Sequence, residues 1–267
     1  MITCKELAEQ IKSEVKEEVK KMKEPVTLAI ISNNTPDGER YIRNKVKVAE
    51  EVGIKAEVFK VDESNSINKL IEKLAWHSGL IIQMPYYNDK LKDEQLINKI
   101  PFYQDVDGLT ESNEITPATA LGIYKYLEVN NLINGKRITI IGRSKLVGMP
   151  LAKLLLNTDA TVTLCHSKTE DLQGHTLEAD VIISAVGKIN FITEYHLWRD
   201  KDYHIVDVGI NFDENGCICG DVANEVKAMD NVTTTPVPSG VGLLTTACLM
   251  ENTLKLHKFV NCYEDDY

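Results

Sequence analysis

The chain has 267 residues, 43% of them hydrophobic and 26% charged, an ordinary make-up for a globular protein of one large or two average domains. Its formal net charge of −10 argues against a general nucleic-acid binder, and an anionic ligand would need local cations to draw it in. No apolar run approaches the ~20 residues that span a bilayer, and the first ten residues carry no signal-peptide core, so the expectation is a cytoplasmic protein without a membrane partner.

The pattern predicts a helix over Lys5–Lys21, a strand over Val26–Ser32, a helix over Arg40–Val52, a strand over Ala56–Val61, a helix over Ile67–Trp76 and a strand over Leu80–Met84. A boundary is expected in the polar stretch Glu111–Pro117. Beyond it come a helix (Ala120–Glu128), a strand (Arg137–Ile141), a helix (Leu151–Leu156) and strands at Thr161–Cys165, Val181–Val186 and His204–Val208. A hairpin is expected around Cys217 and Cys219, then a last helix over Thr245–Lys258 and a frayed acidic tail, Tyr263–Tyr267. The six cysteines are scattered, and the one close pair, Cys217 and Cys219, has no second pair and no nearby histidine, which predicts neither a disulfide framework nor a metal site. Most of the strands are continuous apolar runs, as in buried parallel sheets. The expectation is an α/β fold with mainly parallel sheets in two domains, 1–115 and 116–244, with helix 245–260 packing back onto the first.

Residues 137–150 run from an apolar strand into Gly142, through a short polar turn, to a helix near Pro150. A Rossmann-type unit presents backbone N–H groups and a helix N-terminus to a pyrophosphate in this way. Five residues separate Gly142 from Gly148, so the usual G-x-G-x-x-G spacing is absent. Both still permit close approach of the backbone, and Arg143 and Ser144 are candidate donors to phosphate oxygens. The plainer alternative is an ordinary strand-turn-helix connection. At the end of the next strand stand Cys165-His166-Ser167-Lys168. An NAD-binding unit usually places a carboxylate there for the ribose hydroxyls. Ser167, Lys168 and Arg143 suit a 2′-phosphate instead, which favours NADP; a solvent-facing polar loop is the alternative.

On a helical projection of Tyr41–Val52, Lys45 is the one charged residue inside an arc made of Tyr41, Ile42, Val46, Val48, Ala49 and Val52. Either its amine snorkels past these neighbours to water, or it is partly desolvated with a lowered pKa suited to proton transfer. Tyr41, one turn earlier, is placed to orient that amine. Gln83 ends a buried strand before Met84-Pro85, where ligands gather in open α/β sheets. Asp107, before Gly108, is either a turn residue or a carboxylate for an amino-substituted heterocycle. Asp207-Val208-Gly209-Ile210-Asn211 closes another strand at the same kind of edge.

Taken together, Tyr41-Ile42-Arg43-Asn44-Lys45, Ile82-Gln83-Met84-Pro85, Asp105-Val106-Asp107-Gly108, Gly142–Gly148, Cys165–Thr169, Asp207–Asn211, Gly220-Asp221-Val222 and Pro236–Gly242 resemble, in this order, the bifunctional methylenetetrahydrofolate dehydrogenase/cyclohydrolase enzymes of one-carbon metabolism. The resemblance implies oxidation of 5,10-methylenetetrahydrofolate with NADP⁺ and hydrolysis of the methenyl product to 10-formyltetrahydrofolate. It implies a homodimer, and an active-site cleft between a catalytic domain and a Rossmann-type domain. By the same resemblance Lys45 is the catalytic lysine, Tyr41 its neighbour and substrate contact, and Gln83 the residue that tunes it. Asp107 holds the pterin, Pro238 and Gly240 border the substrate, and Gly142, Arg143, Ser144, Gly148, His166, Ser167, Lys168 and Ile210 face the cofactor. The chain departs from the pattern at Glu114-Ile115, where Pro-Cys is common, at Ser239, where a second glycine is usual, and at Leu243-Leu244, where Pro-Met is usual. Ser239 adds a Cβ where close approach or a positive φ is expected. The rival readings are a dehydrogenase without cyclohydrolase activity, a two-domain amino-acid or hydroxy-acid dehydrogenase, and a non-catalytic nucleotide-binding protein.

Overall fold

The computed structural model describes residues 1–61, 67–87, 89–110 and 115–264, with side chains given to residue 261. The expected boundary residues 111–114 and the tail end 265–267 lie outside the described residues. The chain divides into two compact units, one of Glu9–Ala118 with Thr246–Tyr267, the other of Met1–Ala8 with Thr119–Thr245. The sequence-based division placed Met1–Ala8 with the residues that follow them. The structure ties them instead to Asn130, whose side chain accepts from the Ile2 N–H and donates to the Ile2 carbonyl.

The first unit is built on a parallel sheet of order β2-β1-β3, with β1 at Thr27–Ser32, β2 at Lys55–Lys60 and β3 at Gly79–Ile82. The central strand β1 is buried along its whole length, as its unbroken apolar sequence requires. Leu28, Ile30, Ile31, Leu80, Ile81 and Ile82 form its core, each burial contributing about 1.5–3 kcal/mol. Helix α1 (Cys4–Val19) precedes the sheet, α2 (Pro36–Val52) joins β1 to β2, and α3 (Ile67–Lys73) leads into β3. Thr35 caps α2 by accepting from the Gly38 N–H, with Pro36 in the first turn. Helix α4 (Lys90–Ile97) follows β3 and starts at Asp89, which accepts from the N–H groups of Leu91 and Lys92.

In the second unit α5 (Ala118–Val129) leads into a five-stranded parallel sheet of order β10-β7-β6-β4-β5. Its strands are β4 (Arg137–Ile141), β5 (Thr161–Cys165), β6 (Val181–Ser184), β7 (Tyr203–Asp207) and β10 (Val232–Thr234). Helix α6 (Gly148–Leu155) connects β4 to β5, and α7 (Leu172–Glu178) connects β5 to β6. The order reverses at β4, which has β5 on one side and β6 on the other. That is the switch point where open α/β sheets hold their ligands. A small antiparallel hairpin, β8 (Asn211–Phe212) with β9 (Ile218–Cys219), and helix α8 (Asn224–Lys227) complete the unit. The last helix, α9 (Val241–Glu264), is longer than its apolar pattern indicated. In the first unit its Asn252 amide donates to the carbonyls of Val106 and Thr116, and its His257 ring bonds Ser78. Among the described residues no helix is long and apolar enough to cross a membrane.

Candidate active site

In the first unit, α2 buries Gly38, Ile42, Ala49 and Val52. Position 45 falls in the same row at the 3- and 4-residue spacing of a helix face. A lysine therefore stands where a core residue would, and its side chain is only 16% exposed. Its Nζ donates to Oε1 of Gln83 at 3.2 Å and lies 3.9 Å from Oδ2 of Asp107. Gln83 is fixed in turn: its N–H donates to the Ile31 carbonyl, extending the β1–β3 pairing, and its side-chain amide donates to the Met84 carbonyl. Asn33, at the end of β1, donates to the carbonyl of Pro85 and so ties down the turn after Gln83.

Burial pushes the Asp107 carboxyl above the usual carboxylate range; nearby Lys45 pulls it down, and the negative charge of Asp105 pushes it up again. Asp105 itself is fully buried. One of its oxygens accepts from both the N–H and the hydroxyl of Thr110, at 2.6 and 2.7 Å, which closes the loop that carries Asp107. The sequence alone assigns Asp105 no role beyond its place in the Asp105–Gly108 motif. The alternation of two carboxylates, one turned inward and one toward Lys45, was the available signal. Tyr41 lies at the rim of the helix, 39% exposed, not within its buried row. The structure thus brings Lys45, Gln83 and Asp107 together and leaves Tyr41 on the neighbouring surface.

In the second unit, β4 ends in Gly142 at φ +111°, whose N–H donates to the Cys165 carbonyl of the adjacent strand. The chain then loops to Gly148, the first residue of α6. A Cβ on Gly148 would collide with the Gly142 carbonyl oxygen, and one on Gly142 with the Ala185 carbonyl. The start of α6 has no side-chain cap; the Met149 N–H donates to the Ser144 carbonyl and Pro150 has no N–H. The helix begins at Gly148 and not beyond Pro150, because a proline without an N–H is tolerated in the first turn. Ser144 accepts from the Val147 N–H through its hydroxyl, and both Ser144 and Arg143 are exposed beside this opening. After β5, the His166 ring accepts from the Lys168 N–H, while Ser167 and Lys168 point outward. Ile210 is 48% exposed after β7. Pro238 is exposed and Gly240 buried in the turn before α9. The glycine-lined opening, the uncapped helix start and the nearby cations fit a dinucleotide pyrophosphate and a further phosphate.

A parallel sheet with such a loop, joined in one chain to a unit that holds a largely buried lysine beside a carboxyl, defines an α/β enzyme of the nucleotide-binding class. The description "Tetrahydrofolate dehydrogenase/cyclohydrolase, catalytic domain" matches residues 2–107, and "Tetrahydrofolate dehydrogenase/cyclohydrolase, NAD(P)-binding domain" matches residues 117–261. The chain is 35% identical to the bifunctional protein FolD of Bacillus subtilis (strain 168), over 96% of this chain and 95% of that one. It is 39% identical to the FolD of Pelagibacter ubique, over 95% of each. Its structure is similar to that of FolD methylenetetrahydrofolate dehydrogenase/cyclohydrolase from Campylobacter jejuni, with a TM-score of 0.87, 35% identity and coverage of 96% and 98%. It is also similar to the Trypanosoma brucei enzyme complexed with NADP and an inhibitor, with a TM-score of 0.84, 28% identity and coverage of 98% of each chain.

The chain belongs to the tetrahydrofolate dehydrogenase/cyclohydrolase family. It is an enzyme of tetrahydrofolate one-carbon metabolism that oxidises 5,10-methylenetetrahydrofolate with a nicotinamide cofactor and hydrolyses the methenyl product to 10-formyltetrahydrofolate.

Proposed function

We propose that Lys45 moves the protons of the hydrolytic step, and that the cofactor of the oxidative step is NADP⁺. The observation that carries the first reading is the Lys45–Gln83–Asp107 group: one amine, fixed by an amide at 3.2 Å and faced by a carboxyl at 3.9 Å. Hydrolysis requires a proton to leave the attacking water and a proton to reach the departing folate nitrogen. A single positioned amine serves both ends, and such assistance is typically worth ~10²–10⁴-fold. Gln83 holds the amine with an acceptor oxygen and no competing charge. Asp107 offers a carboxyl oxygen to the amino and N–H edge of a pterin, and Tyr41, Pro238 and Gly240 are further substrate contacts.

NADP⁺, when bound, supplies the hydride acceptor. This chain's part is to hold it. The backbone at Gly142 and Gly148 takes the pyrophosphate, with Ser144 and His166 beside it and Ile210 at the far edge. Arg143, Ser167 and Lys168 meet the 2′-phosphate. No carboxylate stands at Ser167 or Lys168, where one would repel that group. Oxidation itself asks little more of the protein than near contact of the reacting carbons.

The enzyme works as a homodimer in this proposal. Leu146 before α6, Met149 in its first turn and Leu156 at its C-terminal cap are exposed apolar residues, and α6 packs on β4 and the edge strand β5. An unpaired edge beside an apolar stripe is a surface suited to a second copy. The buried cysteines Cys4 and Cys165, which form no disulfide among the described residues, accord with the reducing cytoplasm. The net charge of −10 argues against nucleic acid or an anionic membrane as a partner.

The test is a pair of assays on the purified chain. Methylenetetrahydrofolate should be oxidised with NADP⁺ in preference to NAD⁺, and methenyltetrahydrofolate should be hydrolysed with no nicotinamide present. Oxidation without hydrolysis would leave a monofunctional dehydrogenase, and a preference for NAD⁺ would remove the 2′-phosphate reading.

A further inference from the structure

Two carboxylates in the second unit lie outside the roles given so far. Asp207 ends β7 and Asp221 follows β9; they are 1% and 0% exposed. Each sits over the glycine beside the other. A Cβ on Gly209 would collide with the Asp221 carboxylate, and a Cβ on Gly220 with the Asp207 carboxylate. Asp207 accepts from the N–H groups of Gly209, Asp221 and Val222 at 2.8–3.1 Å. Asp221 is the more connected. Its Oδ2 accepts from the Ser184 hydroxyl and the N–H groups of Val186 and Gly187. Its Oδ1 accepts from the Lys188 N–H and the Asn211 side-chain amide.

These donors are not scattered. Ser184 is the last residue of β6, and Val186, Gly187 and Lys188 form the loop that leaves it. Ala185 of that loop is the residue against which Gly142 of the phosphate loop packs. Gly209 and Asn211 flank Ile210, and both are held by this carboxylate pair. One side chain therefore fixes the loop after β6 and the segment after β7, both at the carboxyl edge beyond the switch point.

We propose that Asp221, oriented by its interlock with Asp207, is a positioning residue for cofactor binding. It holds the Ala185–Lys188 loop and the Ile210 segment in the geometry that receives the half of the dinucleotide beyond the pyrophosphate. This rests on the assignment of Ile210 to the cofactor edge. An amide cannot replace the carboxylate here, because its NH₂ group would face three donors or two, depending on which way it is turned.

The experiment compares three variants, Asp221→Asn, Asn211→Ala and Ile210→Asp. KM and Kd are measured for NADP⁺, and the rate of cofactor-independent methenyltetrahydrofolate hydrolysis is measured on the same samples. Expected is a tenfold or greater rise in NADP⁺ Kd for Asp221→Asn, and a fall of the dehydrogenase-to-cyclohydrolase ratio by a similar factor. Asn211→Ala, which removes one donor and leaves four, should raise Kd threefold or more with thermal stability close to the parent. A merely structural role would lower both activities together through loss of folded protein. A ratio and Kd within twofold of the parent for a folded Asp221→Asn would overturn the proposal. If that variant does not fold, the same result in Asn211→Ala overturns it. Ile210→Asp separates the underlying assignment: unchanged NADP⁺ affinity there refutes the placing of the cofactor edge, whereas weakened affinity there with unchanged affinity in the other two refutes Asp221 alone.

Discussion

Lys45 and Gln83 are 38 residues apart and meet through one hydrogen bond of 3.2 Å from the amine to the amide oxygen. The bond joins the middle of α2 to the residue that follows β3, so the Lys45 amine is held from two regular elements. Sites on rigid elements keep their geometry through the reaction. Lys45→Met keeps the length and apolar stem of the side chain while removing the proton carrier. The expected outcome is a loss of ~10²–10⁴-fold in methenyltetrahydrofolate hydrolysis, with NADP⁺ affinity close to the parent. Hydrolysis at the parent rate would end the assignment. Gln83→Leu should lower hydrolysis less, by removing the acceptor that fixes the amine, and should shift its pH profile.

The proposed cofactor preference is tested at two cations. Arg143 and Lys168 are exposed and make no ion pair among the described residues, so both are free to meet a phosphate. Arg143→Ala and Lys168→Ala are expected to weaken NADP⁺ by about tenfold or more each, the scale of a charge-assisted hydrogen bond of 1.5–3 kcal/mol. NAD⁺ should change much less. Equal losses for the two cofactors, in steady-state KM values, would mean that these cations touch only the pyrophosphate.

The parallel strands were legible because burial on both faces writes an unbroken apolar run, as in Thr27–Ser32 and Val181–Ser184. Strand β10 was not, because it is a three-residue edge with two threonines. Helix α7 hid behind Gly174, and α4 behind a nearly even spread of charge. Lys45 was visible because a helix face tolerates one charge conspicuously, but the same projection placed Tyr41 too deep. Its row runs through Gly38, Ile42, Ala49 and Val52, and Tyr41 is one position off it. Asp221 stands in a motif, but its role could not be read, since its partners come from Ser184, Val186–Lys188 and Asn211, brought together only by the sheet.

The exposed stripe on α6 gives a separate test of assembly. Leu156 is 69% exposed at the end of that helix. Leu156→Arg changes little inside a monomer, where surface substitutions stay within about 0.5 kcal/mol, but it would bury a charge in a dimer. Light scattering should show a dimer for the parent and a monomer for the variant. A parent monomer, or an unaltered dimer in the variant, would place the interface elsewhere or remove it.

Ser239 stands at φ +74°, a left-handed conformation that costs an L-residue roughly 1–2 kcal/mol. Glycine escapes that cost but has a more flexible unfolded chain, which takes back about 0.4–1 kcal/mol. Ser239→Gly is therefore expected to hold or slightly raise the melting temperature, while Ser239→Val, with a branched Cβ, should lower it. The opposite order, measured by calorimetry, would show that the serine hydroxyl matters more than its backbone.

His204 offers a pH-dependent test of the second unit. It is 5% exposed, and burial alone brings its pKa down from 6.5 to about 4. Its Nε2 lies 3.1 Å from the Tyr126 hydroxyl, whose own pKa burial pushes up to about 12, so a neutral ring and a neutral phenol share the hydrogen bond. Between pH 4 and 6.5 the unfolded chain binds a proton at this residue and the folded chain does not. Stability from this group is thus fully present above pH 6.5 and drains away as pH falls toward 4, by up to about 3 kcal/mol. His77, His196 and His257 are also lowered by burial and act in the same direction. His204→Gln keeps an acceptor for Tyr126 without a titrating ring. Its urea midpoint should therefore fall less steeply than the parent's over this window, by close to one proton's worth of slope. Parallel curves for the two proteins would show that the ring is already charged in the folded state at pH 6.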